Sequence, residues 1–420
     1  MDVKIKPSKL EGEVIVPPSK SLAHRAIICA SLASGTSVIS NVSYSNDILA
    51  TLKAMEMLGA NIKKDGSTLT ITGSKPIFKS AKTIDANESG STLRFLIPIC
   101  LAFNENATFI GQSRLIKRPL DVYFDIFDKQ NIEYKHNNYL PLTVNNKLKA
   151  GDYLISNNSS SQFITGLLFA LPLLDGDSKI ILKEKLESAG YIYLTLDLLK
   201  KFGINIIFKE NIFYIKGNQT YKAFNYKVEG DYSQAAFFLV AQALGNNIKV
   251  KGLDKDSIQG DKAIVKYLED LGCKFKYEDN EYTLLSKSLK NRDIDVSQTP
   301  DLGPILSVLF TQIKGKSSLI NASRLRIKEC DRITDVILEL KKLNVNCSET
   351  YDSLTVNGIS NINGAVLDSH NDHRLVMSFA ILATVAKEEI IIRNAGAVSK
   401  SYPDFFEVYK KLKGDVEFYE

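Results

Sequence analysis

The sequence predicts an α/β protein of six βαβαββ units, grouped three and three into two domains. Three observations lead there. One pattern, a polar turn followed by an apolar run of helix length, recurs six times along the 420 residues. The elements between recurrences keep a fixed order. The two helices of each unit also differ consistently in how much of their surface is apolar.

The pattern begins at Ser19 (SKSLAHRAIICASLA), Ser89 (SGSTLRFLIPICLAF), Ser159 (SSSQFITGLLFALPLL), Asp231 (DYSQAAFFLVAQAL), Pro300 (PDLGPILSVLFTQI) and Asn371 (NDHRLVMSFAILATV). Successive starts lie 70, 70, 72, 69 and 71 residues apart, a regularity that chance does not supply. A short strand is expected before each turn, at 13–16, 83–86, 153–156, 226–229, 293–296 and 365–368. The apolar helix leads into a β-rich stretch, such as 36–41 or 316–321. An amphipathic helix follows, as in DILATLKAMEMLGA and DRITDVILELKKLN, apolar at i, i+3, i+4 and i+7. Two short strands close the unit, as in NIKKDGSTLTITG and NVNCSETYDSLTVNG.

A helix apolar on every side needs complete burial, whereas the second helix keeps one wet face. Three units can pool their apolar helices into one core, so six make two domains. The sixth unit ends on DVEFYE and lacks its last strand, which the unused N-terminal DVKIKP can supply. Residues 12–228 are therefore expected to form one domain, and residues 1–11 with 229–420 the other, the chain crossing near 11–14 and 226–230.

Apolar residues at 44% and charged residues at 24% describe a globular chain with real cores. Its net charge of +5 hints at acidic substrates and falls short of the basic stripe of a nucleic-acid binder. The longest nearly apolar runs, 163–174 and 375–386, are too short for a membrane span. The first twenty residues have no signal-peptide core. Five cysteines without a CxxC pair frame neither disulfides nor a metal site. His370 and His373 have no HExxH partner, and GxGxxG, P-loop and GxSxG motifs are missing. A soluble, cytoplasmic, monomeric protein without metal or cofactor is expected.

Polar residues collect in the turns that open the apolar helices. A helix N-terminus carries unpaired N–H groups and about half a positive charge, which suits an anion. The first turn offers Ser19, Lys20 and Ser21, with Arg25 one turn on; the second offers Ser89, Gly90 and Ser91, with Arg94. The third has Ser159, Ser160, Ser161 and Gln162, and the sixth Asn371, Asp372, His373 and Arg374. Capping accounts for Asp231, Ser233 and Ser159. It does not account for Lys20, Arg25, Arg94 and Arg374, because cations oppose the dipole there; an anionic ligand is the simplest relief. Further cations lie in GQSRLIKRPLD (Arg114, Lys117, Arg118), SRLRIKECDR (Arg324, Arg326, Lys328, Arg332) and AVSKSYPDF (Lys400). Lys117 and Arg326 fit a solvated loop. Glu329 stands among four cations, which should lower its pKa unless burial raises it again. Asp301, between prolines in PDLGP, is a general-base candidate, with N-capping as its rival reading.

PPSKSLAHR, SGSTLRF, KRPLD, SSSQFITGLL, TPDLGP, RIKECDRI, NDHRL and SKSYPDFFE occur in the order and spacing of the 5-enolpyruvylshikimate-3-phosphate synthase family, which the chain resembles along essentially its whole length. The resemblance implies two inside-out α/β domains of three units each, with the active site in the cleft between them. It implies transfer of the enolpyruvyl group of phosphoenolpyruvate to the 5-hydroxyl of shikimate 3-phosphate, by addition and elimination through a tetrahedral intermediate. By the same resemblance Lys20, Ser21, Arg25, Ser160, Ser161, Gln162, Ser188, Tyr191, Asp301 and Lys328 bind shikimate 3-phosphate. Lys20, Gly90, Arg118, Gln162, Arg332, Arg374 and Lys400 bind phosphoenolpyruvate. Asp301 takes the hydroxyl proton, and Glu329, helped by Lys20, protonates the methylene carbon. Glu88, Ser91 and Arg324 depart from common forms of the motifs, which leaves affinity and sensitivity to phosphonate analogues open.

Two other readings compete. A sister transferase acting on a UDP-amino sugar characteristically has a cysteine in the loop after the second unit's apolar helix; here that loop, GQSRLIKRPLD, has none. A nucleic-acid-processing protein of similar units would interleave aromatics with its cations. The basic turns here hold few.

Overall fold

The computed structural model describes residues 1–74, 82–103, 106–156, 160–184, 186–358 and 361–419. The chain divides into two compact units, Pro18–Val228 and Met1–Pro17 with Glu229–Glu420. Each has its own hydrophobic core.

In the Pro18–Val228 unit the apolar helices are Lys20–Leu32, Gly90–Ala102 and Ser161–Ala170, and from Leu22 to Leu32 every residue of the first is buried. The amphipathic helices Asn46–Met57, Asp121–Gln130 and Ala189–Lys201 bury one face each. In the other unit the apolar helices are Tyr232–Ala243, Gly303–Phe310 and His373–Ala383, all buried throughout.

Among the described residues every sheet has four strands, in one topology. In the third, Asp152–Ile155 runs parallel to Ser178–Leu182, because a helix crosses between them. Ile212–Ile215 then pairs antiparallel with both Ser178–Leu182 and Ile206–Lys209. Glu210 and Asn211 join the last two strands with φ of 53° and 60°, the doubly left-handed backbone of a two-residue hairpin turn.

The second apolar helix contains Pro98, which has no N–H to give the carbonyl of Arg94. The buried Tyr123 hydroxyl donates to that carbonyl instead, at 2.5 Å. Proline is thus tolerated inside a core helix because another helix satisfies the orphaned acceptor.

Two sheets exchange their opening strands. Glu11–Ile15, which precedes the first apolar helix, pairs parallel with Asn247–Lys251 of the fourth repeat. Tyr226–Lys227, which precedes the fourth, pairs parallel with Gly35–Ser40 of the first. This corrects the boundary expected at 11/12: the first strand's hydrogen bonds lie in the other unit, so the chain crosses at Pro17/Pro18 and Val228/Glu229. In the sixth sheet Asp2–Lys6 lies between Ile390–Arg393 and Asp415–Tyr419, antiparallel to both. It fills the place of the missing last strand, and Val3 and Ile5 are fully buried.

Among the described residues no helix is long and apolar enough to cross a membrane, and no cluster of His, Cys, Asp or Glu could hold a metal ion. All five cysteines are buried, and none is in a disulfide. Ile5→Ala should cost about 2–5 kcal/mol by leaving a cavity beneath the sixth sheet, read as a lower urea midpoint for the unit that contains it.

Candidate active site

The candidate residues form two groups, one in each unit. In Pro18–Val228, Ser19 caps the first apolar helix by accepting from the N–H of Leu22. Lys20 follows, its ammonium 2.6 Å from Asp47 in the first turn of the helix Asn46–Met57. Arg25 is buried and donates to Thr195 Oγ1 at 2.8 Å, to the Ser21 carbonyl at 2.6 Å and to the Tyr191 carbonyl at 3.1 Å. Burial pushes its pKa down to about 10, so it stays charged at neutral pH. These bonds tie the first helix start to the helix Ala189–Lys201. Ser188 precedes that helix in left-handed backbone, with φ of 49°.

The second and third helix starts are also joined. Arg94 donates to Gln162 Oε1 at 2.8 Å and to the Pro119 carbonyl at 3.1 Å, with its guanidinium over the Phe163 ring. Gln162 Nε2 donates to Ser91 Oγ at 3.0 Å, and Ser160 caps the third helix through the N–H of Gln162. Arg118 comes close to Gly90. A methyl group on that glycine would lie 2.8 Å from Arg118 Nη1 and 3.0 Å from Arg94 Nη1.

In the other unit the centre is Asp301, in the 3-10 turn Pro300–Leu302 that leads into the fifth apolar helix. Lys328 Nζ and Arg332 Nη1 lie 3.0 and 2.8 Å from its Oδ1, and Arg374 Nη2 lies 3.1 Å from its Oδ2. Arg332, only 1% exposed, also bonds Glu329 at 2.7 Å and Asp372 at 2.7 Å. Asp372 caps the sixth apolar helix by accepting from the N–H of Arg374. Lys400 Nζ donates to the Asn371 carbonyl at 2.5 Å.

Burial alone would raise the Asp301 carboxyl, but Arg374, Lys328 and Arg332 outweigh it and hold it well below the usual carboxylate range. Burial would likewise raise the Asp372 carboxyl, but Arg332 outweighs it, and that carboxyl too is lowered. Lys328 is lowered by burial despite the attraction of Asp301. The group therefore combines an ionised carboxylate with several donors suited to phosphate and carboxylate.

The family model for EPSP synthase (3-phosphoshikimate 1-carboxyvinyltransferase) matches residues 4–409. The chain belongs to the EPSP synthase family. It is 51% identical over 418 residues to the 3-phosphoshikimate 1-carboxyvinyltransferase of Clostridium perfringens (strain SM101 / Type A), covering 98% of each chain. It is 50% identical over 430 residues to that of Clostridioides difficile (strain 630), covering 99% and 98%. EPSP synthase from Acinetobacter baumannii has the same fold, with a TM-score of 0.81 at 23% identity over 99% of this chain and 100% of that one.

Within this family member several expectations change. The cations at the helix starts do not stand uncompensated. Lys20 has Asp47, Arg25 has Thr195 and two carbonyls, Arg94 has Gln162, and Arg374 has Asp301 and Ser233. Asp301 is no N-cap, since its carboxylate turns to the three cations. Asp231 does cap, accepting from the N–H groups of Ser233 and Gln234. Ser233 instead links Asp231 to Arg374, at 2.6 and 3.0 Å. Arg326 is no loosely solvated loop cation: it bonds Asp331, Glu349, Thr334 and the carbonyls of Thr350 and Tyr351. Ser159 lies outside the described residues. Asp47 and Thr195 escaped the sequence reading because an acid in a first helical turn and a threonine on a helix carry no mark of their distant partners.

The folded pKa values of Asp301 and Asp372 lie below their ordinary 3.8. Their contribution to stability is therefore full above that value and is lost as the pH falls through the folded values. Asp372→Asn leaves the buried Arg332 short of one countercharge, and should lose about 3–5 kcal/mol at neutral pH. Urea unfolding from neutral to acid pH should also show a shallower acid loss in this variant than in the unsubstituted protein.

Proposed function

We propose that the chain transfers the enolpyruvyl group of phosphoenolpyruvate to the 5-hydroxyl of shikimate 3-phosphate and releases inorganic phosphate, a step in making chorismate and the aromatic amino acids. The observation that carries the reading is the convergence of Lys328, Arg332 and Arg374 on Asp301, in a chain whose family match runs over residues 4–409.

Arg332, Arg374, Lys400, Arg118, Gly90, Gln162 and Lys20 take the phosphate and carboxylate of phosphoenolpyruvate. Lys20, Ser21, Arg25, Ser160, Ser161, Gln162, Ser188, Tyr191, Asp301 and Lys328 take shikimate 3-phosphate. Arginine forks suit both oxyanions, and fixing two polyanions at reacting distance supplies much of the acceleration. Asp301 takes the proton of the 5-hydroxyl as its oxygen bonds to the central carbon of phosphoenolpyruvate. Glu329, aided by Lys20, protonates the methylene carbon. Loss of phosphate and of a proton from the resulting methyl group then re-forms the vinyl ether.

The charges explain how so weakly basic a carboxylate can serve. The cations that lower the Asp301 pKa include two assigned to phosphoenolpyruvate, Arg332 and Arg374. A bound dianion satisfies them and lets the carboxyl rise towards a useful basicity. The enzyme acts as a cytoplasmic monomer on these two small molecules, without nucleic acid, membrane, metal or cofactor.

Phosphate release from phosphoenolpyruvate should require shikimate 3-phosphate and form the enolpyruvyl ether, seen by proton NMR. Release with UDP-N-acetylglucosamine alone would move the chain to the sister activity, and silence with both would remove the proposal. Asp301→Asn should cut turnover by about 10²–10⁴-fold while calorimetry still shows both substrates binding. Near-normal turnover would exclude Asp301 as the base. Gly90→Ala should raise KM for phosphoenolpyruvate by about tenfold or more, with a much smaller change for shikimate 3-phosphate, because the new methyl displaces Arg118 and Arg94.

A further inference from the structure

Four buried side chains outside the assigned substrate ligands form one hydrogen-bonded chain in the Pro18–Val228 unit. His24 Nδ1 lies 2.7 Å from Thr51 Oγ1, which lies 2.7 Å from Thr92 Oγ1. Thr92 Oγ1 donates to Ser89 Oγ at 2.7 Å, and the N–H of Thr92 donates to the same oxygen at 3.1 Å. None of the four residues is more than 1% exposed.

The chain has a direction. Thr92 spends its hydroxyl proton on Ser89, so it accepts from Thr51. Thr51 must then accept from His24, which puts the imidazole proton on Nδ1 and leaves Nε2 a bare lone pair. Nε2 indeed has no hydrogen-bond partner among the described residues. Burial, with Lys20 and Arg25 nearby, keeps the ring neutral.

Valine would fill the Thr51 and Thr92 sites in the same shape without burying a hydroxyl. An apolar pair there would strand the buried Nδ1–H of His24 without an acceptor, so the chain holds as a unit and fixes the arrangement of its members. Its two ends are informative. His24 stands one turn beyond Lys20, and Thr51 one turn beyond Asp47, the partner of Lys20 at 2.6 Å. Ser89 caps the helix that opens at Gly90, and on the other side of that glycine Ser91 is held by Gln162 at 3.0 Å.

We infer that Thr51 is a positioning residue for the Gly90 turn, acting through Thr92 and Ser89, with His24 fixed as its Nδ1–H tautomer at the far end. The inference rests on Gly90 holding phosphoenolpyruvate. Thr51→Val should raise KM for phosphoenolpyruvate about tenfold and leave KM for shikimate 3-phosphate within about twofold, while Thr51→Ser, which keeps the hydroxyl, restores both. Thr92→Val cuts the chain at its other end and should show the same split. A folded Thr51→Val enzyme with both KM values unchanged would overturn the inference, as would Thr51→Ser being as impaired as Thr51→Val, which would mean packing alone. Long-range proton–nitrogen NMR of His24 in the unsubstituted protein gives a readout independent of turnover and of whether the valine variants fold. It should show Nδ1 protonated and Nε2 bare, and the opposite tautomer would overturn the chain. If the unsubstituted enzyme releases no phosphate with shikimate 3-phosphate, the functional proposal fails, and the tautomer still tests the chain by itself.

Discussion

A helix that is apolar on every side cannot be covered by one small sheet, and much of this structure follows from that. Each repeat brings one such helix and one four-stranded sheet. In each unit three of these helices pack into one core, with no water-facing side left on any of them. Pooling them also brings their first turns together. Ser233, Asp301 and Arg374 come from the starts of three different helices and share hydrogen bonds, as do Ser91, Arg94 and Gln162 from two others. The requirement that hides the apolar surface thereby gathers helix starts and their polar turns together within each unit.

Charge is the second consequence. Arginine at a helix start opposes the helix dipole, and an arginine as buried as Arg332 is costly unless well paired. Both costs are offset locally, by Asp372 and Glu329 at Arg332 and by Asp301 at Arg374. A cation paired in this way keeps its place without ligand, and so is already oriented when a substrate oxyanion arrives. The arrangement also explains why a carboxylate proposed as a base sits where its basicity is most suppressed: the groups that suppress it are those a bound anion would occupy.

Much of this was legible in the sequence. The six apolar runs, their spacing and the amphipathic second helices are one-dimensional patterns, and each became the element its pattern implies. The spare N-terminal strand was legible too, because a sheet one strand short and an unused strand are both visible in a string. Which sheet Glu11–Ile15 joins was not, since parallel pairing with Asn247–Lys251 depends on a crossing that no local pattern encodes. At the site, residue types marked the cations but not their partners. Lys20 and Asp47 are 27 positions apart, and Arg332 and Asp372 are 40 apart. Ser233 read as a cap because capping is what serine does at a helix start; only the structure shows Arg374 claiming its hydroxyl.

The exchange of opening strands also makes the two units unequal as folding problems. Among the described residues, every strand of the three sheets of Pro18–Val228, and every member of its core, comes from within that unit. The other unit depends on pairing Asp2–Lys6 with Asp415–Tyr419, and Lys6 and Glu417 meet across 411 residues of chain. Long-range pairing of that kind carries a loop-closure cost before any contact rewards it. That cost shrinks sharply if the intervening 18–228 segment is already compact, because a folded insert holds its ends at a fixed separation where an unfolded one must be gathered in. Both ends of the insert lead straight into helix starts. Pro17 and Pro18 stand just ahead of Ser19 and Lys20, and Val228 and Glu229 just ahead of Asp231, whose N–H bonds the Pro17 carbonyl at 2.9 Å. The hydrogen bond that closes the crossover therefore also sets the cap of the fourth apolar helix. Through Asp231 and Ser233 it reaches Arg374, so the crossover and that arginine share one run of hydrogen bonds.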